Sequence, residues 1–544
     1  MNNIAITIKN ILYILLILIS TIPGYYLVKY GLHFTDEPYQ IMNTMDIHRS
    51  PLAPLTSWFG GLLGQLTDYR WLSYRYLAVT LNNLSIIVAG LYMYYRVRSI
   101  SLTAITCSIA IILSGLSRSY HNLFGWDSFT AFFIVVLIVC MLLFIEHPNF
   151  IRLFSVAVVS VLTTLVRIPN IVCFPIIIAV TVFMSSKIYS VQNPGISRKY
   201  IISYIFQFAV LLFVIITLLY HSIHIYIYDI KFNSISSHSA SSLLGVFIHS
   251  FIRYSLSIMA FGMVVIVLSW FRKRMASEET IFWKNHFKIL SLFAIVWLYS
   301  VVHYLPNVIN VPEYDVVWIL LALVYLLIAF YLNKSFKKLL SIVVILIFGS
   351  ICFIGSNNGF VKFPAFLLIP FTTTFLIQNT SQSKIRYFLI IAILPLLITY
   401  AQTIPNIAFQ DDGFKYSDTM VKEGRASGLY TSSQKASVVE DIQKLNKILT
   451  SHRIVVGEGY DRFVYEYILN CPNSYLRHDW TLGAKNLDKQ EYVYWLEKRM
   501  SEMDDYAIVY IKRENGSSSI VEEFLDKNFK NKSEYNSFIV YLPN

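Results

Sequence analysis

The chain has few charged residues for its length. Only 14% of its 544 residues are charged and 56% are hydrophobic, whereas soluble globular domains carry about 25% charged residues. This composition excludes an ordinary soluble enzyme or binding domain and indicates a membrane protein with many spans. The net charge of +12 would favour nucleic-acid binding in a soluble chain, but the basic residues form short clusters between apolar runs. We therefore interpret them as topology signals.

Cysteine is also scarce, and no secretory cleavage site follows the first apolar run. Five cysteines in 544 residues are too few for a disulfide framework. The first run, at about residues 10–29, lacks a small-residue A-x-A site after it, so we expect a retained membrane span rather than a signal peptide. The sequence shows neither internal repeats nor low-complexity tracts.

Apolar runs long enough to cross a bilayer dominate residues 1–403. A spanning helix needs roughly 20 apolar residues, and we expect about thirteen such spans. With a cytoplasmic N-terminus, nearly every basic cluster falls on the inner side, as the positive-inside rule requires. An odd number of spans then places the C-terminal residues outside. The expected spans lie at about residues 8–30, 76–95, 101–117, 128–146, 151–168, 169–186, 200–220, 255–271, 288–305, 315–332, 339–355, 364–379 and 386–403.

The last part of the chain, residues 404–544, has a different character. It is rich in Asp, Glu, Lys, Ser and Asn. The stretch "SSQKASVVEDIQKLNKILT" predicts an amphipathic helix, and "RIVVGE", "YAIVYI" and "FIVYLP" predict short buried strands. We therefore expect a mainly α fold, with a polytopic membrane helical bundle over residues 1–403 and a small C-terminal α/β domain over residues 404–544 on the extracytoplasmic face.

Two stretches in outer loops are predicted to be helices that lie flat at the membrane surface. Each has apolar residues at i, i+3, i+4 and i+7 spacing but is too short and too polar on one face to span. Burial of the apolar face against the bundle is the alternative. The apolar positions are Leu55, Trp58, Phe59, Leu62, Leu63 and Leu66 in the first stretch and Leu244, Phe247, Ile248, Phe251 and Ile252 in the second.

Two adjacent acids, Asp36 and Glu37 in "HFTDEPYQ", follow directly after the first predicted span. One interpretation is a plain helix start, with Thr35 or Asp36 as the N-cap and Pro38 in the first turn. That interpretation does not exclude a functional acid pair at the outer membrane surface. A further acid, Asp127, follows in the next outer loop, within "YHNLFGWDSFTAFF".

Three basic residues on the outer side are candidates for binding an anionic group. Arg167 in "TTLVRIPN" is the single arginine of an apolar stretch, where arginine is functional, paired, or snorkelling to the interface. Lys362 follows "GSNNG", which predicts either an anion-binding nest or an ordinary tight turn. Arg118 shares the second outer loop with Asp127.

Together these features resemble the GT-C class of membrane glycosyltransferases. The resemblance rests on the acids of a long first loop (about residues 31–75), its amphipathic stretch, the acid of the second outer loop and the C-terminal outer domain. The pattern is most similar to the protein O-mannosyltransferases and the lipid A aminoarabinose transferases, glycosyltransferase families 39 and 83. The resemblance implies that Asp36 is the catalytic base, Glu37 its acidic neighbour and Asp127 a second acid of the catalytic set.

The resemblance also implies a reaction. An inverting enzyme of this class moves a hexose or pentose from a polyprenyl-phosphate donor to a hydroxyl of a cell-envelope lipid, glycan or protein, on the outer face of the cell (inner) membrane. A carboxylate can take the proton of the acceptor hydroxyl as it attacks. The leaving phosphate needs positive charge, which we expect Arg167, Lys362 and Arg118 to supply. No nucleic-acid partner is expected.

Neither a cofactor nor an obligatory metal is expected. Some GT-C enzymes with diphosphate donors hold a divalent cation, and Asp36, Glu37 and Asp127 could supply oxygen ligands. However, the first loop has no DxD motif. Two other classes stay open. A lipid or solute transporter should show paired repeats and mid-membrane ionisable residues, and a lipid-linked glycan polymerase or ligase should carry its main polar loops late in the bundle.

Overall fold

The structure, a computed structural model, divides the described residues into two compact units. The first unit holds the described residues up to Val28, those within Leu77–Leu218 and those from 335 to Ile407, and the second holds those within Lys29–Tyr76 and from Ala408 onward. The structure describes residues 2–34, 36–45, 53–116, 123–184, 194–218, 335–352, 362–378, 407–408, 411–412, 414–449, 453–456, 462–471, 493–494, 497, 506–512, 520–535 and 538–542.

The described part of the chain is mostly helical, with a small sheet region. The helices are α1 Asn2–Ser20, α2 Ile22–Leu27, α3 Asp36–Met45, α4 Pro54–Thr67, α5 Trp71–Val97, α6 Ile100–Leu116, α7 Trp126–Glu146, α8 Phe150–Val166, α9 Cys173–Met184, α10 Pro194–Leu218, α11 Phe336–Ile351, α12 Ile369–Ile377, α13 Ser433–Ile448, α14 Arg462–Ile468 and α15 Ile520–Asn528. The strands are β1 Ile407–Ala408, β2 Asp411–Asp412, β3 Thr419–Met420, β4 Tyr430–Thr431, β5 Arg453–Val456, β6 Tyr506–Ile511, β7 Asn531–Glu534 and β8 Phe538–Leu542.

Several described helices have the length and composition of membrane spans, so the chain is an integral membrane protein. Those long enough to cross a bilayer are Thr7–Leu27, which covers most of α1 together with α2, then α5, α7, and Arg198–Ile215 within α10. Shorter apolar helices are Ile100–Leu116, Phe150–Val166, Ile168–Met184 and Phe366–Ile377. The expected total of about thirteen spans is not confirmed. The predicted runs at 255–271, 288–305, 315–332 and 386–403 lie outside the described residues.

Within the first unit, α7 packs against α8 and α11, and α1 and α2 pack against α6. Ile134, Leu137 and Met141 of α7 are fully buried in this packing. Gly24 of α2 and Gly115 of α6 meet backbone to backbone, because a Cβ added at Gly115 would lie only 2.9 Å from the Cα of Gly24. Small residues at such crossings let membrane helices approach closely.

The second unit contains a four-stranded sheet with the order β5–β6–β8–β7. The strands β5 and β6 are parallel, and the other two pairs are antiparallel. All residues of β6 are buried, and Val521 and Leu525 of α15 pack on Ile508 and Tyr541 of the sheet. The predicted strands and the predicted amphipathic helix, α13, are therefore confirmed. Residues 29–76 belong to this same unit, and the predicted domain boundary after residue 403 stays a prediction.

The helix α4 carries its apolar face outward. Trp58, Phe59, Leu62 and Leu66 are all exposed, Leu66 at 85%, whereas Thr56, Ser57, Gly60 and Gly64 are buried. Burial of the apolar face is therefore wrong for this helix, and the outward face suits contact with lipid. Insertion into the membrane surface stays a prediction. The second predicted interfacial stretch, around Leu244–Ile252, lies outside the described residues.

Candidate functional site

The two acids of the first loop begin helix α3 in the second unit. Asp36 and Glu37 are its first two residues, and Pro38 lies in its first turn, which confirms the predicted helix start. The backbone N–H of Asp36 donates to Nδ1 of His33 at 3.2 Å. This imidazole nitrogen satisfies one of the N–H groups that a helix start leaves open. Asp36 is thus the first helical residue rather than the N-cap, and Thr35, the other predicted cap, lies outside the described residues.

The neighbouring carboxylates have opposite environments. Asp36 is exposed, whereas Glu37 is only 1% exposed. The Nε of Arg75 donates to Oε1 of Glu37 at 2.8 Å and to Oε2 at 3.1 Å, and Nη2 donates to Oε2 at 2.7 Å. This two-pronged geometry is the strongest form of a carboxylate–guanidinium contact. Glu37 is therefore fixed in place, while the Asp36 carboxylate is open to solvent.

Arg75 also holds the loop that precedes α3. Its Nη1 donates to the carbonyl of Gly31 at 2.8 Å and to that of Tyr30 at 3.5 Å. Gly31 has φ +86, a backbone conformation that side chains strongly disfavour. The guanidinium lies 5.8 Å from the ring centroid of Trp71. Sequence reasoning did not single out Arg75, although a lone arginine in "WLSYRYLAV" is costly without a partner.

C-terminal residues of the same unit contact the start of α5. The ring of Tyr467 meets Trp71 edge-on at 5.4 Å, and its hydroxyl donates to the carbonyl of Tyr69 at 2.5 Å. Burial raises the pKa of Tyr467 well above its ordinary value, so the hydroxyl keeps its proton and remains a donor. Arg425 lies over the rings of Tyr69 and Tyr467 at 5.5 and 5.8 Å. Residues of the C-terminal part of the unit, Arg425 and Tyr467, therefore fix the backbone just before Arg75.

A second polar cluster lies among the helices of the first unit. The Nζ of Lys362 donates to Oδ2 of Asp127 at 2.6 Å, although the two residues are 235 positions apart. Both side chains are less than a tenth exposed, and Asp127 lies in the first turn of α7. Two residues that the sequence proposed separately are therefore paired. The turn "GSNNG" before Lys362 lies outside the described residues.

Arg167 lies at the same end of α7. It terminates α8 and is 6% exposed, its guanidinium lies 6.0 Å from the ring centroid of Trp126, and its charge interacts with that of Asp127. The short 3-10 helix Ile168–Val172 follows. In it, Nδ2 of Asn170 donates to Oγ1 of Thr130 at 3.1 Å and to the carbonyl of Thr163 at 3.0 Å. These bonds tie the segment after Arg167 to α7 and α8. The burial of Arg167 argues against a side chain that only snorkels to water.

The predicted site residues thus fall into two groups. Asp36 and Glu37 belong to the second unit, and Asp127, Arg167 and Lys362 belong to the first. Arg118 lies outside the described residues. The described residues include no cluster of three or more His, Cys, Asp and Glu side chains placed to hold a metal ion. The expectation that no metal is required stays a prediction.

Each group has a definite chemical capacity. An exposed carboxylate beside a fixed one, at Asp36, can accept a proton from a ligand hydroxyl. Within the described residues this cluster holds two buried cations, Arg167 and Lys362, and one carboxylate, Asp127. An anionic group would be stabilised there.

Comparison with known proteins finds no matching protein-family model and no matching curated protein. Two solved structures are similar to the chain over nearly their whole length. ArnT from Cupriavidus metallidurans bound to undecaprenyl phosphate matches with a TM-score of 0.45 and 11% identity, over 98% of this chain and 97% of that one. The same protein in the apo state gives 0.44 and 12%, over 99% and 98%. A likeness of this degree does not establish a family for the chain.

Proposed function

We propose that the chain is an inverting glycosyltransferase that moves a sugar from a polyprenyl-phosphate donor to a hydroxyl acceptor on the outer face of the membrane. The observation that carries the proposal is the contrast between Asp36 and Glu37. One carboxylate is exposed at the first residue of a helix, and the next is buried in a two-pronged contact with Arg75. A general base needs a carboxylate of fixed position that a substrate can reach. Asp36 is exposed, and its backbone is held at the start of the helix by His33 and by the adjoining Glu37, which serves as the positioning residue.

In the proposed reaction the Asp36 carboxylate takes the proton of the acceptor hydroxyl. The acceptor oxygen then forms a bond to the anomeric carbon of the sugar, and the bond between that carbon and the phosphate oxygen breaks. The electron pair leaves with the polyprenyl phosphate, so no acid is needed to protonate the leaving group. A single displacement inverts the anomeric centre.

The cluster of the first unit is proposed to receive the lipid phosphate. Arg167 and Lys362 supply the positive charge that stabilises a phosphate as its charge grows. Asp127 holds the Lys362 ammonium at 2.6 Å and so orients it, which makes Asp127 a positioning residue rather than a group that touches substrate. The apolar helices around the cluster suit an isoprenoid chain.

Transfer by the purified full-length chain tests the proposal. The chain is reconstituted in lipid and given a panel of radiolabelled polyprenyl-phosphate hexoses and pentoses, with envelope lipids, glycans and proteins as acceptors. We expect one donor to lose its label to an acceptor, with inversion at the anomeric carbon. Retention of configuration, or no transfer from any donor in the panel by a folded protein, would contradict the proposal.

A lipid or solute transporter without catalytic activity is the second candidate. It is favoured by the buried pair of Asp127 and Lys362, because buried ionisable pairs among membrane helices also mark substrate and ion pathways. Proteoliposomes separate the two candidates. Transfer of the sugar without movement of the donor across the bilayer supports the enzyme, and movement without transfer supports the transporter.

A further inference from the structure

The segment that leads to Asp36 pairs with the C-terminal part of the same unit. The N–H of Gly31 donates to the carbonyl of Tyr430 at 2.8 Å, and the N–H of Tyr430 donates to the carbonyl of Lys29 at 2.7 Å. Tyr30 and Tyr430 form a parallel β-bridge, and their rings stack at 5.0 Å. The backbone of residues 29–31 is therefore fixed by strand β4.

The residues after this bridge are held by a lysine of α13. The Nζ of Lys435 donates to the carbonyl of Leu32 at 3.2 Å and lies 5.5 Å from the ring centroid of Phe34. Leu32 and Phe34 are the two neighbours of His33, whose imidazole accepts the N–H of Asp36. Lys435 thus contacts the chain on both sides of the residue that begins the acid-bearing helix.

Three successive carbonyls of this segment therefore accept hydrogen bonds from cationic side chains. Arg75 donates to those of Tyr30 and Gly31, and Lys435 donates to that of Leu32. Hydrogen bonds from charged donors are stronger than those between neutral groups. Each cation comes from a different helix, α5 or α13, so the segment cannot shift without breaking contacts on two sides.

We infer that Lys435 is a positioning residue for the Asp36 carboxylate. The inference rests on the proposed function of Asp36 as the base. It makes the C-terminal part a component of the reaction site, since the bridge of Tyr430 and the ammonium of Lys435 set where the acid-bearing helix begins. A misplacement of about 1 Å at a catalytic group can lower turnover on the order of a hundredfold, so loss of one of these contacts should be measurable.

Steady-state transfer by full-length variants tests the inference. Lys435→Gln removes the charged donor, and Lys435→Arg keeps one. If Lys435→Gln does not fold, Lys435→Met takes its place, because methionine also removes the charge but keeps the aliphatic stem over Phe34. We expect the glutamine or methionine variant to lower kcat about tenfold with little change in KM for donor and acceptor, and the arginine variant to recover most of kcat. Lys444→Gln is the matched control on the same helix, because Lys444 is 71% exposed and, within the described part of the chain, its ion pair is with the neighbouring Asp441.

Hydrogen exchange gives a second readout that does not depend on activity. We expect faster exchange of residues 29–37 in the Lys435→Gln or Lys435→Met variant than in the wild type or in Lys444→Gln. Unchanged exchange and unchanged kcat overturn the inference, as does a rise in KM at constant kcat, which would make Lys435 a ligand-binding residue. If the wild type transfers no sugar, the proposed function fails, and exchange alone decides whether Lys435 holds the segment.

Discussion

Arg75 donates hydrogen bonds to both carboxylate oxygens of Glu37 at 2.7–3.1 Å in the interior of the second unit. This contact separates two adjacent acids that look equivalent in the sequence. Glu37 is only 1% exposed and so out of reach of a substrate hydroxyl, which makes the exposed Asp36 the member of the pair suited to chemistry. The same arginine fixes the loop before the helix through the carbonyl of Gly31.

A double-mutant cycle on this pair is the first prediction. Glu37→Gln leaves the Arg75 charge buried without its carboxylate, and removal of one partner of a buried ion pair costs roughly 3–5 kcal/mol. Arg75→Met should cost a similar free energy of unfolding, and the double variant should cost clearly less than the sum of the two. Denaturant unfolding of the purified variants measures all three. Additive losses would show that the two side chains are not energetically coupled.

The ion pair of the first unit gives the second prediction. Lys362→Met should raise KM for the polyprenyl-phosphate donor about tenfold or more, because a charge-assisted contact to the phosphate is lost. Lys362→Met alone leaves Asp127 buried without its partner and should lower the stability. Asp127→Leu combined with Lys362→Met removes this carboxylate as well, so the stability should recover while the KM for the donor stays high. Thermal unfolding and transfer kinetics are measured on the same preparations. If the KM for the donor also returned to the wild-type value, the role of Lys362 would be to neutralise the charge of Asp127 and not to bind the phosphate.

Topology gives the third prediction. In a variant whose five cysteines are replaced, single cysteines near Asp36, Asp127 and Asp418 should react with a membrane-impermeant thiol reagent added outside. Cysteines near Arg98, Lys273 and Lys337 should not react until the membrane is opened, because basic loops stay in the cytoplasm. An inward-facing Asp36 would contradict the proposed function, since the donor and the acceptor are proposed to meet on the outer face.

Metal removal gives the fourth prediction. Lys362 and Arg167 already provide positive charge, and a monophosphate leaving group does not require a divalent cation. EDTA should therefore leave most transfer activity intact. Loss on chelation with rescue by magnesium or manganese would instead support a diphosphate donor that is bound through a divalent cation.

Local patterns in the sequence predicted the elements but not the contacts between them. The strand "YAIVYI" and the helix α13 follow from the apolar spacing of neighbouring residues. The contact of Arg75 with Glu37 spans 38 positions, and that of Lys435 with Leu32 spans 403. Partners so far apart are chosen by tertiary packing, and Lys435 looks in the sequence like any lysine of an amphipathic helix. The exposure of Asp36 and the burial of Glu37 depend on those contacts, so the sequence could not predict them either.

The fifth prediction concerns the base itself. Asp36→Asn removes the proton acceptor but keeps the shape of the side chain, and asparagine is tolerated at a helix start about as well as aspartate. The backbone N–H of Asp36 is already bonded to His33, and the side chain is exposed, so the variant should fold with unchanged thermal stability. Turnover should fall roughly 10²–10⁴-fold, while binding of the donor lipid stays the same.

Transfer of labelled sugar by the purified Asp36→Asn variant measures this effect, with unfolding followed in parallel. The matched control is Glu440→Gln, which neutralises an exposed acid of α13 and should leave turnover unchanged. Equal losses in the two variants would reflect a general effect of surface charge. A stable Asp36→Asn protein with near-normal transfer would reduce Asp36 to a helix start, because a reaction that proceeds without its carboxylate does not use that carboxylate as the base.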